Sequence, residues 1–188
     1  INHFVLHLYI HQPWQDRRPG INAPFGSEFN RHNTWFGQSR AWFDYLRRCH
    51  LLLQQQVDVA DVCYFIGEDT PKMTGVCDPQ LPSGYNFDYI NADVIRQQLW
   101  ISDGRFVLPS GASYRIMVLP KLETMRPEVL GRIRELVLAG GAVLGPAPRR
   151  SPSMQNYPQC DAKVRQLATE LWGSAPSASG VLGRHVGR

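Results

Sequence analysis

No apolar run in the sequence approaches the roughly 18 to 20 residues that a transmembrane helix needs. Its first residues also lack the basic, apolar, small-residue order of a signal peptide, so no membrane partner and no export signal are expected. Cysteine is scarce: Cys49, Cys63, Cys77 and Cys160 show no CxxC spacing, and His50 merely adjoins Cys49. Free, mostly buried thiols are the expectation, which leaves the compartment open. The 20 basic residues against 16 acidic give a net charge of +4, but they cluster only as the pairs Arg17-Arg18, Arg47-Arg48 and Arg149-Arg150. A nucleic-acid reader needs a basic stripe interleaved with stacking aromatics, so no nucleic-acid partner is expected. GxGxxG, GxxxxGK[ST] and GxSxG are all missing, which removes support for a dinucleotide site, a P-loop and a serine nucleophile elbow.

What is present is a globular composition, 43% hydrophobic over 188 residues, enough for one comfortable domain or two small ones. The opening "INHFVLHLYIHQPWQ" alternates: Phe4, Leu6, Leu8 and Ile10 fall on one face, and His3, Val5, His7, Tyr9 and His11 on the other. A period of two predicts a strand. Residues 13–30 form a Pro/Gly-rich loop of functional length, and from Thr34 the positions of Trp35, Trp42, Leu46, Cys49 and Leu53 predict a long amphipathic helix with Asn33 or Thr34 as N-cap. Together these make one βα unit, which cannot be a fold by itself.

The apolar run 59–67 suits a central parallel strand covered on both faces. A long polar loop follows to about Asn91, where a short capped helix begins; Asp103-Gly104 marks a turn. "RFVLP" and "YRIMVLP" predict a hairpin across Ser110-Gly111 ahead of a buried strand at 114–119. Pro127 and Gly140-Gly141 bracket another helix, "AVLG" is a short strand, and residues 161–172 form a final helix. Strands alternating with helices predict a three-layer α/β domain with a mostly parallel sheet. The domain boundary is placed at Gln54 to Asp58, giving units 1–57 and 58–188, and the tail from 173 looks like a loop leading to a strand not contained in the chain. Both ends are expected to be cuts through a larger polypeptide.

The histidine series raises the question of a metal. On a strand, His7 and His11 stand about 13 Å apart, too far to share one ion. Two readings remain: satisfied structural histidines, or the inner face of a barrel strand that grows polar toward its C-terminal end, where such enzymes hold substrate. His11, Gln12 and Trp14 are best placed for the second. In "FNRHNTWF", Asn30, Arg31, Asn33, Thr34, Trp35 and Phe36 set aromatic faces beside polar donors. That combination suits a sugar, although the aromatics would equally serve as core under a capped helix. A glycosidase requires two carboxyls across the scissile bond. Asp16 and Glu28, both in the loop, make no convincing pair. Glu68 and Asp69, after the strand in "FIGED", are expected to be loop or domain-interface residues.

Several collinear blocks then carry a family resemblance: "INHFVLHLYIHQPW", "FNRHNTWF", "YLRRCHLLLQQ", "VADVCYFIGEDTP", "LPSGYNFDYINADVI", "DGRFVLPSGASYRIMVLP" and "ETMRPEVLGRIRELVLAGGAVLGPAPRRSPS". They resemble the α-L-rhamnosidases of glycoside hydrolase family 106 through about residue 173. The resemblance implies a fragment of a larger inverting enzyme: the last βα unit of a (β/α)8 catalytic barrel, then a flavodoxin-like α/β domain similar to the middle domain of β-galactosidases. The substrate implied is terminal α-L-rhamnose on plant glycans, with the catalytic glutamate upstream of this chain and a sugar-bound calcium ion whose ligands are unassigned. The family's motifs match at His7, His11, Gln12, Pro13 and Trp14, and again at Asn30, Arg31, Thr34 and Trp35. His7, His11, Gln12, Trp14, Asn30, Arg31 and Trp35 are therefore the expected substrate-binding residues, with no catalytic or metal-ligating residue assigned. Phe36, Gln56 and Arg126 depart from the pattern, where tryptophan, glycine and a capping serine are expected. The isolated chain is expected to be inactive, its partners being carbohydrate and the rest of the polypeptide. A β-galactosidase-type enzyme and a non-catalytic α/β assembly or ligand-binding module are the alternatives.

Overall fold

The structure, a computed structural model, describes residues 2–17, 20–25, 29–69, 71–72, 74–173 and 186. The chain divides into two compact units, Ile1–Val57 and Asp58–Arg188. Glu28 and residues 174–185 of the tail lie outside the described residues.

In the first unit the opening segment keeps its two faces without becoming a strand. Leu6, Leu8 and Ile10 are half-buried and Gln12 is buried, while His3, Val5, His7, Tyr9 and His11 are exposed; Phe4, expected on the inner face, is exposed as well. Its pairing among the described residues is a single parallel bridge, Tyr9 with Phe29. A strand exists through its ladder, and an alternating side-chain pattern supplies no ladder partner. The helix α1 runs Ser39–Gln54, later than the sequence predicts, and is preceded by a 3₁₀ turn at Phe36–Gln38. Asn33, one of the two expected caps, is bound locally instead, its Oδ1 accepting from Trp35 N at 3.1 Å, just as Asn30 Oδ1 accepts from His32 N at 2.8 Å. These side chains build turns two residues ahead, which delays the helix. Phe29 is the centre of an aromatic group, its ring 5.1–6.4 Å from those of Tyr9, Trp35, Phe36, Trp42 and Phe43.

The second unit is mixed α/β with a parallel sheet. Its strands are β1 Val62–Phe65, β2 Phe87–Ile90, β3 Trp100–Ser102, β4 Arg105–Val107, β5 Ser113–Tyr114, β6 Ile116–Val118 and β7 Ala142–Leu144, with helices α2 Ala92–Gln97, α3 Pro127–Leu138 and α4 Gln159–Trp172. The order β2-β1-β6-β7 forms a four-stranded parallel sheet, and β3-β4-β5 a small antiparallel one. All four residues of β1 are buried, as an inner parallel strand requires. β2 was hidden in a stretch that reads as polar loop, and β3 pairs with β4 across Asp103-Gly104, whose φ of 49° and 69° are those of a two-residue hairpin turn.

Cys63, Phe65, Met117 and Leu119 point to one face, packed with Ile95, Leu99, Val129, Leu130, Ile133, Leu136, Val164, Leu167 and Leu171 from or beside the three helices. Val62, Tyr64 and Val118 point to the other, where Cys77 and Leu81 from the 74–86 loop cover them beside Phe87 and Leu144. The cluster on this second face contains no helical residue, so among the described residues the expected third helical layer is replaced by a loop. Local chemistry sets the helix ends. Asn91 caps α2 by accepting from Val94 N at 3.0 Å. Pro127 opens α3, and Gly140 at φ 107° lets Gly140 N and Gly141 N close on Val137 O and Leu136 O, both at 2.9 Å. Gly141 also fills a tight place: a Cβ there would lie 2.8 Å from Phe106 Cζ and 2.9 Å from Ile101 Cδ1.

Candidate functional site

All the residues expected to meet substrate lie within the first unit. Gln12, Trp14 and Arg31 come together. Gln12 is 2% exposed, and its side-chain amide pairs in both directions with Ile21, Oε1 accepting from Ile21 N at 2.9 Å and Nε2 donating to Ile21 O. Arg31 directs Nη2 to the carbonyls of Gln12 and, at 3.2 Å, Trp14, and Nε to Gln15 Oε1 at 3.1 Å. His32, not singled out by sequence, brings Nε2 within 2.8 Å of the same Trp14 carbonyl. Trp14 is 44% exposed, with the Arg17 guanidinium 4.7 Å over its ring centroid. Gln12 and Arg31 thus devote donors to holding the loop, and Trp14 presents its surface.

Trp35 belongs to a second group, the aromatic cluster on Phe29, yet remains 39% exposed. Asn30 is buried and serves the turn before α1. His7 and His11 are the remaining two: His7 lies 5.6 Å from the Phe25 ring and His11 is exposed. The described carboxylates of this unit are Asp16, exposed in the loop, and Asp44, paired with Arg40 and Arg47 along α1. No acid and base facing one another arise from these.

In the second unit, Gly67, Glu68, Asn91, Asp93, Arg126 and Ser153 line an open cavity of about 360 Å³ beyond the C-terminal ends of β1 and β2. Parallel sheets bind ligands at such ends. Here, however, the polar groups are already engaged. Glu68 accepts from Arg126 N at 3.0 Å and pairs with its guanidinium, so a carboxylate from the end of β1 caps α3 where the expected serine is replaced by Arg126. The bond to Glu68 raises the Arg126 pKa above its ordinary value. Asn91 is committed to α2. Asp69 binds Lys72 Nζ at 2.6 Å. Burial pushes the Cys63 thiol up to about 12, and burial with the Asp88 hydrogen bond raises Tyr114. These groups hold the fold together; none is an activated nucleophile. Among the described residues no three His, Cys, Asp or Glu side chains cluster as metal ligands, and none is assigned to the calcium that the resemblance implies.

The family model for α-L-rhamnosidase of glycoside hydrolase family 106 matches residues 1–188. The chain belongs to this family. A solved structure, the rhamnosidase from Novosphingobium sp. PP1Y, superposes with a TM-score of 0.75 at 34% identity, covering 92% of this chain and 17% of that one. A Formosa agariphila protein named "Putative beta-glucuronidase" is 38% identical over 174 residues, 92% of this chain and 15% of its own length. The chain thus spans about one sixth of these family relatives.

Proposed function

We propose that the chain is part of a longer glycoside hydrolase that removes terminal α-L-rhamnose from glycans or glycosides. The observation that carries this reading is the family match along the whole chain, residues 1–188. In this reading residues 1–57 are the last βα unit of a (β/α)8 catalytic barrel, whose remaining strands supply the ladder that the His7–His11 segment lacks here. Residues 58–188 are a domain resembling the β-galactosidase middle domain, flavodoxin-like in its parallel order β2-β1-β6-β7 but with a loop on the second face of the sheet. His7, His11, Trp14 and Trp35 form a wall of the sugar pocket by direct contact, while Gln12, Asn30 and Arg31 shape it. Exposed indoles and imidazole donors are the side chains that suit the C–H face and hydroxyl edge of a deoxyhexose.

The catalytic acid and base, separated by about 6.5–9.5 Å in an inverting enzyme, are carried by the upstream barrel. Calcium is implied by the family resemblance alone, and no step assigned to this chain depends on it. The test is hydrolysis of an aryl α-L-rhamnoside by the full-length polypeptide, with an aryl β-glucuronide as the competing substrate. Cleavage of the rhamnoside is expected from the full-length enzyme, and none from residues 1–188 alone. His11→Ala in the full-length enzyme should lower kcat/KM about tenfold, the equivalent of one lost substrate hydrogen bond. An unchanged kcat/KM would remove His11 from the site, and preference for the glucuronide would overturn the substrate.

A further inference from the structure

The loop that carries Trp14 is held with more care than a surface connection requires. The Trp14 carbonyl receives two donors, His32 Nε2 at 2.8 Å and Arg31 Nη2 at 3.2 Å, which fills both lone pairs of a backbone oxygen. Because a carbonyl only accepts, His32 carries its proton on Nε2. Arg31 also grips the Gln12 carbonyl and the Gln15 side chain. Nine residues on, Gln12 binds the backbone of Ile21 in both directions from a buried position. The chain is therefore pinned before, at and after the indole. Arg17 occupies one face of the ring, at 4.7 Å from its centroid, yet the residue stays 44% exposed.

We propose that His32 is a positioning residue of the sugar site. With Arg31 it fixes the Trp14 backbone, and with Arg17 behind the indole it leaves the opposite ring face as a preformed stacking platform for a pyranose. This rests on the reading that Trp14 faces substrate. A rigid ring loses little conformational freedom when sugar binds, so the benefit falls on binding rather than on the chemical step. Losing the His32 donor would leave Arg31 alone on the carbonyl and let the indole turn out of the plane in which a sugar stacks.

The experiment uses the full-length enzyme and an aryl α-L-rhamnoside. His32→Ala is expected to raise KM about five- to tenfold with kcat within about twofold, the signature of lost uniform binding. His32→Phe, which keeps the ring volume without the donor, should do the same and serves if the alanine variant does not fold. His32→Gln, whose amide can donate to the carbonyl, should return KM to within about twofold of the parent. In a Trp14→Ala background, itself raised in KM, removing His32 should have no further effect, since the two act through one ring. Amide hydrogen exchange at residues 15–17 should quicken in the alanine and phenylalanine variants but not in the glutamine one.

If Trp14→Ala raises KM while His32→Ala and His32→Phe leave it unchanged, His32 has no positioning role and the sugar-site reading of Trp14 stands. If instead Trp14→Ala has no effect on an enzyme that hydrolyses rhamnosides, both the inference and that reading fall. A lowered kcat at constant KM, or additive effects in the double variant, would also overturn the inference.

Discussion

The two units bury opposite kinds of residue. In 1–57 the buried residues among those described are Gln12, Asn30 and Ser39 beside a single apolar side chain, Phe29. In 58–188 the buried residues among those described are apolar or aromatic, Leu130, Ile133, Met117 and Val164 among them, and the buried carboxylate side chain of Glu68 is paired with Arg126. The second unit is therefore organised by hydrophobic burial, which is non-directional and tolerant of local detail. The first depends on directed hydrogen bonds, Gln12 to Ile21 and Arg31 to Gln12 and Trp14. A loop fixed this way sets the position of a side chain closely without surrounding it. That is the requirement of a binding surface rather than of a core.

The contrast predicts different responses to truncation. Ile133→Ala in the α3 core should destabilise 58–188 by about 2–5 kcal/mol, seen as a lower midpoint in urea with unchanged slope. A loss below about 1 kcal/mol would show that this core is not close-packed. Gln12→Ala should cost about 1–3 kcal/mol, the penalty for unpaired backbone groups. Its effect should be local: faster exchange at the Ile21 amide and no shift in the urea midpoint of 58–188. A matching shift there would break the distinction between the units.

The smallest effect concerns Cys63, fully buried and with a pKa near 12 against an ordinary 9.0. Below pH 9 the thiol is protonated in both states and contributes no pH dependence. Between 9 and 12 the unfolded chain loses this proton while the folded one keeps it, so stability falls as pH rises. Cys63→Ala should flatten that alkaline slope in a pH series of urea melts, and an unchanged slope would place its origin elsewhere, Tyr114 being the next candidate.

Local punctuation was the part of the fold most readable from sequence. Asn91, Pro127 and Gly140-Gly141 each act within a few residues: α2 begins where Asn91 indicates, and α3 begins at Pro127 and ends just before Gly140-Gly141. The inner strand β1 was equally clear, because burial on both faces leaves a continuous apolar run. What needed the third dimension was pairing. β2, Phe87–Ile90, contains Asp88 and follows Pro82 and Gly84, yet lies in parallel register on β1. The opening segment has the better strand pattern and forms only one bridge. At the candidate site, residue types drew attention to this loop but not to the division of labour within it. Gln12 and Arg31 hold the loop while Trp14 is displayed, and His32 lay unmarked between two residues that were noticed. Its partner is a carbonyl 18 positions away, and no spacing in the sequence encodes that contact.

Gly141 has a consequence for how this domain can be altered. Since a single added carbon would press on both Phe106 of β4 and Ile101 of β3, the small antiparallel sheet is keyed to the turn that ends α3. It cannot be exchanged as a cassette. A β3-β4-β5 insert with bulkier residues at positions 101 or 106 would push against the start of β7 at the sheet margin. Grafts in this family would therefore need to carry the hairpin and the glycine together.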